Sequence, residues 1–269
     1  MAIRFNPAVS LSREPLRVAL LGLGEAGAAF GADLVAAGAV TAGWDPEPSR
    51  SVSGLRRAAS SHDAVAGAEL VLSLNAGTVA VAVAEAAAPA LSPGCLYADL
   101  NTSGVGVKRQ VAATVGAAGA AFADVALLAP VPGRGVRTPS LASGDGAERY
   151  GATLRSFGAE VGVVGPEPGA AAARKLLRSV FMKGLAAAVL ESLAAAEAAG
   201  AADWLRAEIV STLRDGDESL VDRLVHGSAQ HAARRVAEME AAAELLRELG
   251  TPPLVAEAAA EILRGLLLS

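Results

Sequence analysis

Three glycines at a fixed spacing constrain this 269-residue sequence more than any other feature. Gly22, Gly24 and Gly27 follow an apolar run at 16–21 and open an alanine-rich, helix-like segment at 25–37. In this strand–turn–helix context the spacing is typical of a dinucleotide-binding turn, in which helix N–H groups hold a pyrophosphate. An ordinary glycine-rich turn is the alternative. The residues predicted to contact the cofactor are Gly22, Leu23, Gly24, Glu25, Ala26 and Gly27.

Asp45 ends the second apolar run, at 40–44. A carboxylate there accepts a hydrogen bond from an adenosine 2′-hydroxyl and repels a 2′-phosphate, so Asp45 favours NAD over NADP. Pro46 follows at once, and a simple turn-forming role for Asp45 is the alternative. Arg50 is predicted to lie at the same pocket, where its guanidinium would instead accept a 2′-phosphate.

Short apolar runs alternate with helical segments through the first part of the chain. This alternation predicts a doubly wound, Rossmann-type α/β domain with a parallel sheet. The predicted strands are 16–21, 40–44, 70–74, 95–99 and 121–127, with two shorter ones at 140–143 and 160–164. The predicted helices lie near 25–37, 49–59, 78–88, 105–118 and 147–157.

The last hundred residues contain no strand-like run and predict an all-α C-terminal domain of four or five helices. A first helix at about 169–199 would be roughly 45 Å long, and the predicted breaks are Gly200, Gly216, Gly227 and 250–253. We therefore predict a leader at 1–15, a dinucleotide-binding domain at 16–166 and a helical substrate and dimerisation domain at 167–269. Because such a domain is small for an independent core, we expect a homodimer formed through it.

Composition and charge exclude several classes of function. The net charge of −5 argues against a nucleic-acid surface, and the single cysteine, Cys95, argues against a disulfide scaffold or a cysteine-rich metal site. There is no HExxH or Cys/His cluster, so no metal is expected. Charges such as Glu191 and Glu197 interrupt the apolar stretches, so no membrane span is expected. One thiol and no signal-like start predict a cytoplasmic location.

Polar side chains follow three of the predicted strands. Asn101, Thr102 and Ser103 come after the run at 95–99, at the carboxyl end of a parallel strand, where ligands bind in such sheets. A helix N-cap role for Thr102 or Ser103 is the alternative. Further predicted cofactor contacts are Asn75, Thr78 and Asn101. After the run at 121–127, the Gly133 backbone and the Arg134 guanidinium suit an anion, and a surface turn is the alternative.

A lysine stands near the start of the long helix. Lys175, Ser179, Met182 and Ala186 share one helix face by their spacing. A lysine on this otherwise apolar face would be desolvated and its pKa lowered, which suits proton transfer near neutral pH. The alternative is a basic first turn with Lys175 extended towards solvent.

These stretches resemble the β-hydroxyacid dehydrogenase family, which includes 6-phosphogluconate and 3-hydroxyisobutyrate dehydrogenases. The resemblance spans nearly the whole chain and is closest to a subgroup whose C-terminal domain has no known function. It implies that Lys175 is the catalytic acid/base, assisted by Ser179. The implied substrate-binding residues are Asn101, Thr102, Ser103, Gly133, Arg134, Arg178, His231 and Arg235.

The sequence departs from the family pattern at two places. Arg178-Ser179 replaces the usual asparagine pair, and Pro132 and Arg134 replace a serine and a glycine of the substrate loop. His231 and Arg235 are predicted to share a helix face, and an exposed ion-paired face with Arg234 against Glu238 is the alternative.

We therefore predict an NAD- or NADP-dependent oxidoreductase that transfers hydride to or from a small β-hydroxy acid or related anion. An imine reductase on the same scaffold, and a non-catalytic nicotinamide-binding regulatory protein, are the alternatives.

Overall fold

A computed structural model describes residues 14–268 of the chain. The strands in this part form one eight-stranded sheet in the order β3-β2-β1-β4-β5-β6-β7-β8. They are β1 (Arg17–Leu21), β2 (Val40–Trp44), β3 (Arg56–Arg57), β4 (Leu70–Ser73), β5 (Leu96–Asp99), β6 (Ala121–Leu127), β7 (Ser140–Ser143) and β8 (Val161–Val163). All seven predicted strands are present. The predicted leader lies outside the described residues except for Glu14 and Pro15.

The order of the strands determines where the sheet can bind a ligand. Neighbouring strands run parallel except β6 and β7, which pair antiparallel. β1 lies between β2 and β4, so the chain changes its direction of travel across the sheet at β1. Ligands in sheets of this type bind at the carboxyl ends of the strands beside such a switch. The predicted doubly wound α/β domain is confirmed.

Helices cover both faces of the sheet. They are α1 (Glu25–Ala36), α2 (Ser61–Val65), α3 (Ala80–Ala87), α4 (Val105–Ala117) and α5 (Ala147–Arg155). Successive strand residues point to opposite faces, so Leu20 belongs to the same buried cluster as Phe30 of α1, while Leu21 belongs to the cluster that includes Val111 of α4. Both are fully buried, which explains why the strands read as continuous apolar runs.

The helix predicted near 49–59 is wrong. Gly54 there has a φ of +80°, a left-handed conformation that a helix interior does not allow. The chain instead forms the two-residue strand β3 and then α2, whose N-terminus is capped by Ser60 Oγ accepting the Asp63 N–H at 3.0 Å. Local composition did not reveal this, because β3 forms only by pairing with β2.

The chain divides into two compact units between Leu177 and Arg178, inside the long helix α6. The helices of the C-terminal region are α6 (Ala170–Ala198), α7 (Ala202–Arg214), α8 (Glu218–Gln230), α9 (Ala232–Glu248) and α10 (Leu254–Gly265). The predicted all-α C-terminal region is confirmed.

One predicted helix break in the second unit is wrong. Gly227 lies inside α8 and does not end it, because its carbonyl still accepts a helical hydrogen bond from the His231 N–H at 3.2 Å. A glycine inside a helix costs only about 1 kcal/mol relative to alanine, which neighbouring turns tolerate. The break comes at His231, which has a φ of −118° and a ψ of 26°.

Helix α6 is long and apolar enough to cross a membrane by length and composition, although the sequence analysis expects no span. Interior helices of proteins without a membrane share these properties, so that expectation stays a prediction. Glu191 of α6 accepts hydrogen bonds from the N–H groups of Val255 at 2.7 Å and Ala256 at 2.9 Å. This carboxylate therefore caps the N-terminus of α10.

Candidate functional site

The glycine turn joins the end of β1 to the start of α1. Gly22 has a φ of +99°, and a Cβ built there would lie 2.4 Å from the Leu74 carbonyl oxygen. A Cβ on Gly27 would lie 1.9 Å from the Gly22 carbonyl oxygen. Both positions therefore require glycine, one for the turn and one for the close approach of helix to strand.

The N-terminus of α1 has the properties of an anion site. Its N-cap is Gly24, which has no side chain to cap the helix. The first helical N–H groups are therefore available to bind an anion. Among residues 14–268, the Arg50 guanidinium, at 3.7 Å, is the one group that lies within 4 Å of a Cβ built on Gly24. Glu25 is exposed and Ala26 half-buried beside it. A pyrophosphate therefore fits this turn.

Asp45 holds the turn through the Leu23 amide. Its Oδ2 accepts the Leu23 N–H at 2.7 Å, and its Oδ1 accepts the Glu47 N–H at 2.9 Å. Burial raises the pKa of Asp45, but these two N–H groups and the Arg50 guanidinium outweigh burial and leave the pKa below its usual value. Asp45 is therefore an ionised carboxylate with two backbone partners already in place.

Arg50 and Arg57 place positive charge around Asp45. Arg50 Nη1 lies 3.3 Å from Asp45 Oδ2, and about half of its side chain is exposed. Arg57 Nη2 donates to the Asp45 carbonyl oxygen at 2.6 Å. The structure thus brings the predicted Asp45 and Arg50 together, and adds Arg57, which sequence reasoning missed because β3 was not predicted.

The predicted polar residues after β4 and β5 meet at one edge of the sheet. Asn101 Oδ1 accepts the Asn75 N–H, and Asn101 Nδ2 donates to Ser73 Oγ at 3.0 Å. A Cβ on Gly77 would lie 2.2 Å from the Thr102 carbonyl oxygen, so the two loops are in close contact. Thr78 is exposed next to this contact. The loops after β4 and β5 form one continuous polar rim, and β4 neighbours β1, the strand that precedes the glycine turn.

Lys175 reaches this rim from α6. Its Nζ donates a hydrogen bond to Thr102 Oγ1 at 2.8 Å. Lys175 is half-buried in the chain as described, so the strong desolvation expected from the sequence is not seen in the single chain. Ser103 Oγ is buried there with no hydrogen-bond partner among residues 14–268. A small crevice lies between the rim and α6, and it is lined in part by Asn101, Thr102, Ser103 and Lys175.

The loop that carries Gly133 and Arg134 is fixed to α1. Asp33 Oδ2 accepts the Val136 N–H at 3.0 Å, and the Val131 carbonyl oxygen accepts the Arg134 N–H at 2.9 Å. Gly133 and Arg134 are both exposed. The Arg134 amide is thus engaged within the loop, while its guanidinium extends into solvent.

The other predicted site residues belong to the second unit. Arg178 is exposed and Ser179 half-buried on α6. His231 stands at the N-cap of α9, and its carbonyl oxygen accepts the Arg235 N–H at 3.0 Å, so the two residues lie one helical turn apart. Arg235 Nη1 donates to Ser228 Oγ at 2.7 Å, and the alternative pairing of Arg234 with Glu238 is present at 3.0 Å.

A buried charge cluster of Asp99, Lys108 and Asp124 lies below the crevice and was missed from the sequence. Lys108 Nζ is 3.2 Å from Asp99 Oδ2 and 3.2 Å from Asp124 Oδ1, and all three side chains are at most 1% exposed. Burial raises the pKa of Asp99, and the Lys108 ammonium and the Asn101 N–H oppose this rise. The sequence did offer a signal, because Asp99 and Asp124 are acidic residues inside two apolar runs. It did not indicate that Lys108 of α4 is their common partner.

Comparison with known families identifies both parts of the chain. Residues 17–138 match the NAD binding domain of 6-phosphogluconate dehydrogenase, and residues 196–266 match a domain of unknown function, DUF1932. A search of curated proteins gives no significant match.

Solved structures extend the comparison over the whole chain. A conserved hypothetical protein from Sinorhizobium meliloti 1021 is 30% identical, with a TM-score of 0.64 over 93% of this chain and 87% of its own. The conserved protein MTH1747, described as structurally similar to 3-hydroxyacid dehydrogenases, is 25% identical. Its TM-score is 0.62, and the match covers 94% of this chain and 98% of MTH1747. An imine reductase variant from Myxococcus stipitatus, in complex with NAD+, shares the fold at 20% identity, with a TM-score of 0.80 over 95% and 94%.

The fold and the glycine turn define an NAD(P)-binding domain of the Rossmann type. The chain belongs to the 6-phosphogluconate dehydrogenase-like, or β-hydroxyacid dehydrogenase, family, in the group that carries the DUF1932 domain. This is a family of oxidoreductases, and the predicted resemblance is confirmed.

Proposed function

We propose that this protein catalyses reversible hydride transfer between a nicotinamide cofactor and the hydroxyl-bearing carbon of a small anionic substrate, a β-hydroxy acid or a close relative. The observation that carries the proposal is the hydrogen bond from Lys175 Nζ to Thr102 Oγ1. It places an amine beside a hydroxyl at the carboxyl end of β5, next to the strands that hold the cofactor turn.

The glycine turn and the rim divide the binding tasks. The N–H groups at the start of α1 hold the pyrophosphate, and the rim residues Asn75, Thr78 and Asn101 orient the nicotinamide half. The bound cofactor supplies the hydride acceptor or donor. Lys175 takes the proton of the substrate hydroxyl during oxidation and returns a proton to the oxygen during reduction.

The remaining rim residues hold the substrate anion. Thr102 and the Ser103 hydroxyl, which has no hydrogen-bond partner within residues 14–268, offer hydrogen bonds from one side of the crevice. Gly133 and Arg134 supply a backbone N–H and a guanidinium from the exposed loop after β6. For Ser179, Arg178, His231 and Arg235 of the second unit, a part in the reaction rests on the family resemblance alone.

We propose NAD as the preferred cofactor, because the ionised Asp45 carboxylate repels a 2′-phosphate. A ribose hydroxyl would share the two carboxylate oxygens with the Leu23 and Glu47 N–H groups and with Arg50 Nη1, which lies 3.5 Å from Oδ1 and 3.3 Å from Oδ2. Arg50 is the competing feature, since its half-exposed guanidinium lies 3.3 Å from that carboxylate.

The large exposed apolar side chains of the second unit support a homodimer formed through this region. Exposed fractions reach 75% at Val180, 65% at Phe181, 71% at Leu190 and 64% at Trp204. Soluble monomers rarely leave so many large apolar side chains in water. Light scattering should give twice the chain mass of 26.7 kDa, and a monomer at micromolar concentration would contradict this part of the proposal. We also propose a cytoplasmic protein with no nucleic-acid or membrane partner.

The catalytic proposal is tested with Lys175→Ala. A panel of β-hydroxy acids is first assayed with NAD and NADP, by the absorbance of the reduced nicotinamide. With the substrate so found, Lys175→Ala should lower kcat by about 10²–10⁴-fold while the Kd of the cofactor is unchanged. Lys183→Ala is the matched control, since Lys183 is an exposed lysine on the same helix. Retained turnover in Lys175→Ala would exclude the lysine as the acid/base.

The same panel separates the two alternatives. Cyclic imines are added as substrates in the reductive direction. Turnover of imines with none of the hydroxy acids would favour imine reduction. Tight cofactor binding with no turnover of either class would favour a regulatory, non-catalytic protein.

A further inference from the structure

The buried charge cluster connects to both partners of the Lys175–Thr102 hydrogen bond. On one side, Asp99 Oδ1 accepts the Asn101 N–H at 3.0 Å, and the Asp99 carbonyl oxygen accepts a hydrogen bond from Lys108 Nζ at 2.7 Å. These bonds fix the chain immediately before Thr102.

On the other side, the cluster caps the helix that carries Lys175. Asp124 Oδ2 accepts the Ala172 N–H at 2.9 Å, and Ser143 Oγ accepts the Ala171 N–H at 2.9 Å. The serine hydroxyl also lies 3.2 Å from Asp124 Oδ2. Lys175 is one helical turn beyond Ala172, on the same side of α6.

We propose that Asp99, Lys108 and Asp124 form a positioning device, which holds Lys175 against Thr102 and sets the electrostatic environment of the crevice above them. Lys108 links the two sides of the site. It contacts Asp99, which lies three residues before Thr102 in the chain, and Asp124, which caps the helix that carries Lys175. Lys108 also lines the crevice together with Thr102 and Lys175. The inference rests on the proposed role of Lys175.

The energetics of buried charges favour such a role over simple stabilisation. Removing three charged side chains from water costs more than most buried ion pairs return, and apolar replacements of similar volume are often at least as stable. Buried ionic groups can instead specify one geometry. Here the geometry concerned is the relative placement of the loop after β5 and the first turn of α6.

The test measures the ionisation of Lys175 without any substrate, so it can fail independently of the proposed reaction. Amine-reactive labelling is followed across pH, and the Lys175 peptide is quantified by mass spectrometry. Lys108→Met removes a neighbouring positive charge and should raise the labelling midpoint by about half a pH unit or more. Asp124→Asn removes a negative charge and should lower the midpoint.

A purely structural role gives a different pattern, because loosening the site by either substitution moves the Lys175 midpoint in the same direction. The double variant Lys108→Met/Asp124→Asn keeps the net charge of the cluster and should return the midpoint towards wild type. If Lys108→Met does not fold, Asp124→Asn and the double variant still decide the question. Shifts of the same sign, or no shift, would overturn the proposal.

A matched control removes a buried polar contact elsewhere in the same unit. Tyr150→Phe deletes a fully buried hydroxyl that interacts with Ser140 of β7 and makes no contact with the charge cluster among the interactions described above. It should lower thermal stability without moving the Lys175 midpoint. A shift in this control as large as in Lys108→Met would show that general destabilisation moves the midpoint, and would also overturn the proposal.

Discussion

Lys175 and Thr102 are hydrogen-bonded at 2.8 Å although 73 residues separate them in the sequence. The bond joins the first turns of α6 to the loop after β5. Because the donor is the amine that the family resemblance assigns to acid/base chemistry, the acceptor becomes part of the candidate site. We therefore propose that Thr102 orients the lysine.

The Thr102 hydroxyl should be needed for full activity. Thr102→Val removes the acceptor of the Lys175 hydrogen bond at nearly constant volume, and we expect about a tenfold fall in kcat, equivalent to about 1.4 kcal/mol. Thr102→Ser keeps the hydroxyl and should retain most of the activity. Equal activities of the two variants in steady-state assays would remove this hydrogen bond from the mechanism.

Gly27 should be irreplaceable, even by alanine. A Cβ there lies 1.9 Å from the Gly22 carbonyl oxygen, so Gly27→Ala must displace the cofactor turn. We expect cofactor binding, measured by isothermal titration calorimetry, to weaken at least tenfold or the chain to fail to fold. Gly106→Ala in α4 is the control, because its Cβ meets nothing within 4 Å in the described part of the chain, and it should leave binding unchanged. Unchanged binding in Gly27→Ala would contradict the close-packed turn.

Asp45 and Arg50 should shift cofactor preference in opposite directions. Asp45→Asn removes the negative charge but keeps an acceptor for the Leu23 N–H, so the ratio of NADP to NAD affinity should rise about tenfold. Arg50→Ala removes a cation that attracts a 2′-phosphate, so the same ratio should fall. Parallel titrations with both cofactors measure the ratio. A ratio unaffected by Asp45→Asn would leave the carboxylate with its turn-holding role alone.

Glu191 should stabilise the second unit through its cap on α10. Glu191→Ala leaves the N–H groups of Val255 and Ala256 without their acceptor, and we expect the free energy of unfolding to fall by about 1–2 kcal/mol. Glu197→Ala, an exposed glutamate on the same helix, should change it by less than about 0.5 kcal/mol. Urea denaturation compares the two, and equal effects would argue against the cap.

Cys95 should be inert in the folded protein. It is 3% exposed, and burial raises the pKa of its thiol to about 11. The reactive thiolate is therefore scarce near neutral pH, and a thiol reagent at pH 8 should react at least about a hundredfold more slowly than in denaturant. A spectrophotometric thiol assay with and without guanidinium gives both rates. Fast reaction of the native protein would contradict the buried position of Cys95 immediately before β5.

The sequence was most informative where local chemistry and structure coincide. The glycine turn, the main strands and the long helix each depend on residues that are close together in the chain, such as Gly22 and Gly24. The prediction failed at 49–59, where the strand β3 exists only because Arg56 and Arg57 pair with β2. It failed again at Gly227, because a helix tolerates one glycine when its hydrogen bonds continue.

By itself, the sequence determined the class of fold and the cofactor turn, because each is written in a short run with its own spacing, whereas Lys175 as candidate acid/base is implied by the family resemblance. Only the tertiary structure decided how that lysine is held. Thr102, Asp99, Lys108 and Asp124 come from different parts of the chain, and burial makes the charges of the last three interact strongly once the sheet brings them together. No local pattern specifies such a cluster, because its members are neighbours only after the strands have paired.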